Sequence, residues 1–105
     1  NGDTAIEQEF LDLFFKTASE CLSALGKNIE DPEAWKAMSH RLKGSTGNLG
    51  AFELMEMCQQ MEYEEHALLN DKQTMLTAVR SGLEELRDYM LKRHKKTMEE
   101  TQWLR

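Results

Sequence analysis

Asp31-Pro32-Glu33-Ala34-Trp35-Lys36-Ala37-Met38-Ser39-His40-Arg41-Leu42-Lys43-Gly44-Ser45-Thr46-Gly47-Asn48-Leu49-Gly50 reads as one amphipathic helix with its start and stop written into it. Asp31 suits the N-cap. Pro32 suits the first helical position, where a missing N–H loses no partner, and Glu33 puts a carboxylate in the first turn. Trp35, Met38, Leu42 and Leu49 recur at helical spacing and span only about 60° of the wheel. The helix is expected to end between Gly47 and Gly50. One narrow apolar stripe means one face buried against neighbours and the rest in water.

Working outward, three more stripes appear. Ile6, Phe10, Leu13, Phe14, Cys21 and Leu25 mark a helix over about residues 5–25, with Gly26 as its stop. Leu54, Cys58 and Met61 mark another from Ala51 to about His66. After a break at Asn70-Asp71, a long segment repeats Met75, Val79, Leu83, Leu86 and Met90, and its helical composition continues to about Thr97. Each helix must bury its stripe against the others across short connections, which predicts an all-α fold, an antiparallel up-down four-helix bundle. The 105 residues are read as a single domain with a bundle core over about 5–91 and a helix extension and tail over about 92–105.

The composition agrees and excludes several classes of function. One proline and six glycines are too few for the turns of an all-β fold. A net charge of −6 argues against a nucleic-acid surface. The basic run Lys92-Arg93-His94-Lys95-Lys96 reads as a solvated helix end. Cys21 and Cys58 lack CxxC spacing and read as two buried thiols in a reducing cytosol, so the expected location is cytoplasmic. No apolar run approaches the roughly 20 residues of a membrane span, and no secretory signal is seen. The chain opens on Asn1 and not on methionine, which is expected of a processed chain or a domain excised from a longer protein.

Chemistry concentrates on the second helix. His40 falls opposite the centre of the stripe, and Lys36, Lys43, Gly44 and Gly47 fall on the same outward side. A helix-interior glycine is less favourable than alanine by about 0.8–1.0 kcal/mol. Bare backbone one turn from a histidine therefore asks for a reason, and close approach of another surface is one. For Gly47, the beginning of helix termination is an equal reading. A neutral imidazole nitrogen is a competent nucleophile near its ordinary pKa of about 6.5. Once phosphorylated it would carry a charge that Lys43, or Lys36, can partly neutralise. Ser45 points to the buried side of the wheel, and His66 and His94 have no comparable neighbourhood. Met55, Met57 and Met61 read as core and core edge.

His40-Arg41-Leu42-Lys43-Gly44-Ser45, continuing through Asn48-Leu49-Gly50-Ala51, resembles the H-x-L-K-G-S…L-G-A signature of histidine-phosphotransfer (HPt) domains. The resemblance extends over Met38 to Cys58. It implies that His40 is the phosphoacceptor, that Lys43 steadies the phosphoryl group, and that Gly44 leaves room for a docking receiver. It implies as partners the receiver domains of response regulators, with a hybrid sensor histidine kinase as one setting. The family engages its partners through the first helix and the histidine-bearing one, which makes Leu11, Phe15 and Leu22, with Ala37, Arg41 and Gly47, the candidate docking residues. For those of the first helix extra core contact is the default reading, and a docking strip the second. There are two departures. Where family members often carry a glutamine that orients the imidazole, this chain has Glu62, open to bonding His40, pairing with Lys43, or lying solvated. There is also little room for the family's short extra helix before the bundle.

No phosphate loop, nucleotide motif or metal-ligand cluster is visible. An autonomous ATP-dependent kinase is therefore not expected, nor a cofactor of the chain's own. The divalent metal is expected on the partner receiver. Two rivals remain at this stage: the histidine-bearing domain of a chemotaxis-type kinase, phosphorylated directly by an ATP-binding domain, and an adaptor that binds receivers without being phosphorylated.

Overall fold

The computed structural model describes the backbone of residues 2–103 and the side chains of residues 7–93. Four helices follow one another: α1 (Gly2–Lys27), α2 (Pro32–Leu49), α3 (Phe52–Tyr63) and α4 (Leu69–Trp103). Each packs on its neighbours in sequence, and α4 closes the ring against α1. With connections this short, successive helices run antiparallel, as the four stripes required. Among the described residues no helix is long and apolar enough to cross a membrane.

The ends of α2 are fixed by local chemistry. The Asp31 carboxylate accepts from the N–H groups of Glu33 and Ala34 at 3.1 and 3.2 Å. At the other end Gly50 adopts φ 84°, a left-handed conformation that glycine enters without strain. Its N–H reaches the Gly47 carbonyl and that of Ala51 reaches Thr46, the paired bonds of a Schellman motif. Gly50 is thus the terminator, and Gly47 lies inside the helix. Elsewhere the sequence boundaries move by a turn or less: α3 stops at Tyr63, short of His66, and Asn70-Asp71 lie within the first turn of α4 instead of before it. The tail also differs from its expectation, because α4 continues as helix to Trp103. At about 1.5 Å per residue its 35 residues nearly match the 56 Å long axis of the molecule.

The core gathers Phe14, Cys21 and Leu25 with Trp35, Leu42, Met61 and Val79. Three stripes are rotated from their sequence positions. On α1, Leu11 is buried while Phe10 and Leu13 are exposed; Ile6 lies outside the described side chains. On α2 the fully buried residues are Trp35, Ser39, Leu42 and Thr46, with Met38 and Leu49 at the edge. That turns the stripe about 40° towards α3. Thr46, not Ser45, is the buried hydroxyl, and it bonds the Leu42 and Lys43 carbonyls at 2.9 and 3.0 Å. On α4, Lys72 and Leu76 are buried ahead of Val79. Polar residues at the centre of a stripe are invisible to a search for apolar spacing. Both thiols are buried; desolvation foremost pushes Cys58 up to about 12 and also raises Cys21, so both stay protonated at neutral pH.

Candidate functional site

The rotation of α2 decides where His40 stands. It lies on the flank of the helix nearest α3, with its side chain 67% exposed. Its Nδ1 is 3.0 Å from Oε1 of Glu62, a residue of the last turn of α3 that is only 13% exposed. The other carboxylate oxygen, Oε2, lies 2.9 Å from Nζ of Lys43, one turn beyond His40 on α2. The two make a short ion pair across the α2–α3 seam. Glu62 is therefore the centre of the site and is not solvated.

The electrostatics follow from this geometry. The ammonium of Lys43, and after it the imidazole of His40, hold the Glu62 carboxyl below its ordinary value of 4.5, against the opposing effect of partial burial. An ionised carboxylate can only accept hydrogen bonds, so Nδ1 must be the donor. The proton of the neutral ring is thereby fixed on Nδ1, and the lone pair of Nε2 is left on the outer side.

The residues that the helical wheel grouped with His40 separate into two sets. Gly44, Ala37 and Arg41 occupy the open face, and a Cβ built on Gly44 meets nothing within 4 Å. Lys43 and Gly47 turn into the seam with α3. A Cβ on Gly47 would lie 3.0 Å from Sδ of Met55, so this glycine serves helix packing and is not open ground for a partner. Lys36 is half-exposed and faces Glu65 at 3.9 Å. Arg41 leans the other way, 3.8 Å from Glu20 of α1. A shallow groove beside His40 is lined by Pro32, Lys36, Glu62, Glu65 and His66. His66 itself is exposed, 3.8 Å from Glu65; the side chain of His94 is outside those described.

Leu11 is buried, and with Phe15 it lines a groove shared with Arg87, Met90 and Leu91 of α4, away from His40. Leu22 is half-buried against the core. The α1 flank that adjoins the open face of α2 is marked by Glu20, and Leu13 lies two turns before it on that flank. Leu13 and neighbouring Phe10 are the large apolar side chains of α1 that stay exposed among the described residues, at 62% and 48%. The α1 periodicity contained both sets of residues but not the direction of α2.

Two contacts had no signal in the apolar pattern. The indole Nε1–H of Trp35 donates to the Met61 carbonyl at 2.7 Å. Buried Lys72 donates to the Ile29 carbonyl at 3.0 Å and stands 5.0 Å above the centre of the Trp35 ring. Among the described residues no group of three or more His, Cys, Asp or Glu side chains is arranged to hold a metal ion.

Neither the curated proteins nor the solved structures compared with this chain gave a match. The sequence model of the Hpt domain does match, over residues 9–89, which takes in all of α2 and α3 and most of α1. With four helices, no strand among the described residues, and His40 presented from the second helix, the chain belongs to the Hpt domain family, the histidine-phosphotransfer domains of two-component signalling.

Proposed function

We infer that the domain is the histidine intermediate of a multistep phosphorelay, accepting a phosphoryl group on Nε2 of His40 from one receiver aspartate and passing it to another. The observation that carries this reading is the division of the imidazole: Nδ1 is tied to Glu62 at 3.0 Å, while the ring is two-thirds exposed beside the unobstructed backbone of Gly44.

The Nε2 lone pair attacks phosphorus of the aspartyl phosphate. The N–P bond forms as the P–O bond breaks, and the electron pair leaves with the aspartate carboxylate. No proton has to depart from Nε2, because the ring proton is already on Nδ1, where Glu62 accepts its hydrogen bond. The product ring is cationic and keeps that bond to an anionic acceptor. Lys43 supplies the nearby positive charge for the phosphoryl oxygens, with Lys36 as a second source. Return of the group to a receiver is the same step reversed. The partner contributes the activated aspartate and its divalent metal; this domain contributes a positioned nucleophile and no cofactor. Docking is assigned to Ala37, Arg41 and Gly44 on α2 with Phe10 and Leu13 on α1, and the setting is cytoplasmic.

The test is transfer from a phosphorylated receiver, followed by location of the acid-labile label. Label is expected on His40 alone, and none should enter the pure domain from ATP. A His40→Gln variant that still accepts the label overturns the reading.

A further inference from the structure

Granting that His40 is the acceptor, we propose that Trp35 is a positioning residue for the transfer site, its indole N–H setting the axial register of α3 so that Glu62 meets His40. The Met61 carbonyl lies in the last turn of α3, where intrahelical donors run out, and it accepts both the Trp35 indole N–H at 2.7 Å and the Glu64 N–H at 3.2 Å. Glu62 is the next residue. One residue of slip displaces a side chain by about 1.5 Å along the axis and turns it by about 100°. The 3.0 Å bond between Glu62 and His40 cannot survive such a shift.

A further close α2–α3 approach, Gly47 against Met55, lies towards the far end of the seam and is made by a flexible thioether, which tolerates small shifts. A directed bond is less forgiving. The indole is itself fixed: Trp35 is fully buried, and Lys72 stands 5.0 Å over its ring while tethered to the α1–α2 connection at Ile29. Lys72 thus couples the first turn of α4 to the histidine through Trp35, the Met61 carbonyl and Glu62.

Trp35→Phe keeps a buried aromatic ring and removes the N–H donor, along with part of the indole's volume. With Glu62 displaced, the neutral imidazole of His40 should shift towards the Nε2–H tautomer, which blocks the nucleophilic nitrogen. Nitrogen-15 NMR of the histidine rings, assigned with His40→Gln, reads this directly and needs no phosphotransfer, so it stands or falls separately from the identity of the acceptor. The expected result is a higher Nε2–H fraction and transfer slowed by about two- to tenfold, the span of one net hydrogen bond. In a Glu62→Ala background the same substitution should no longer alter the rate. A folded Trp35→Phe protein with wild-type tautomer ratio, or an unchanged rate penalty in the Glu62→Ala background, overturns the proposal. If Trp35→Phe does not fold, Lys72→Met decides: a shift towards Nε2–H supports the coupling, and an unchanged ratio overturns it.

Discussion

The two flanks of α2 are built from similar residues and behave as different materials. On the flank facing α3, Lys43 is half-buried and ion-paired, Gly47 has the Met55 sulfur where a Cβ would need room, and Trp35 donates to a backbone carbonyl. On the open face, Arg41 has only a distant partner and Gly44 has empty space around it. A lysine and a glycine that share a wheel with an arginine and a glycine thus do opposite jobs. His40 stands on the border, with Nδ1 in the ordered seam and Nε2 on the open side. The contrast teaches that a nucleophile needs both surroundings: a rigid one to choose its tautomer and an empty one to let the electrophile approach.

The largest test of the contrast is Trp35→Ala, which empties the seam of its biggest fully buried side chain. It should destabilise the domain by about 3–5 kcal/mol, whereas an exposed change such as Ala37→Ser should stay within about 0.5 kcal/mol. Denaturant titration of both measures the difference; similar midpoints would remove the distinction between the flanks.

A sharper comparison places glutamine at each glycine. Gly47→Gln must displace Met55 and should lose about 1–3 kcal/mol of stability. Gly44→Gln should fold as well as wild type, because nothing lies within 4 Å of its Cβ. Yet it should slow transfer by about tenfold or more, since small misplacements of reacting groups are costly in rate. Thermal melts together with receiver-to-domain transfer rates report both. Wild-type transfer by Gly44→Gln would mean that the open face is not where the partner comes close.

The seam should also be sensitive to pH through Glu62. Its carboxyl is held below 4.5 in the folded domain, chiefly by Lys43, so in that range the unfolded chain binds more protons than the folded one. The stabilisation is complete above the unfolded value and is lost as pH falls through the lower folded value. Glu62→Gln should therefore cost about 1 kcal/mol near neutrality, and the gap to wild type should close in acid, as pH falls through the lowered folded value. Unfolding curves from pH 3 to 7 test the sign, and a gap that widens in acid would contradict it.

The smallest effect is expected of Gly44→Ala. Alanine is the better helix former, so stability should rise by somewhat under about 1 kcal/mol with transfer nearly retained. A loss of stability, seen in the same melts, would show that the open face is less open than its geometry indicates.

How far the sequence could be read varied from residue to residue. Asp31, Pro32 and Gly50 fix the ends of α2 by bonds among residues at most five apart, so their meaning is local and legible. The stripes were found because burial of apolar side chains repeats with the helical period, but their centres were missed wherever a polar residue was buried. Ser39, Thr46 and Lys72 look like surface residues in a string. Thr46 is buried because its hydroxyl bonds its own helix, and Lys72 because a carbonyl 43 residues away accepts its ammonium. Leu11 and Phe15 form an apolar strip that turns out to face α4, since the spacing within α1 carries no information about which neighbour lies on which flank.

By itself, then, the sequence determined the four helices, their antiparallel order and the prominence of His40, because each depends on periodicity, on short connections or on neighbours within a turn. Only the tertiary structure decided that Glu62 joins His40 and Lys43, that Gly47 belongs to packing while Gly44 stays open, and that Trp35 bonds the carbonyl next to Glu62. The physical reason is the rotation of each helix about its own axis. It is set by how all the side chains of the core share one volume, and a turn of about 40° moves a residue between the seam and the open face.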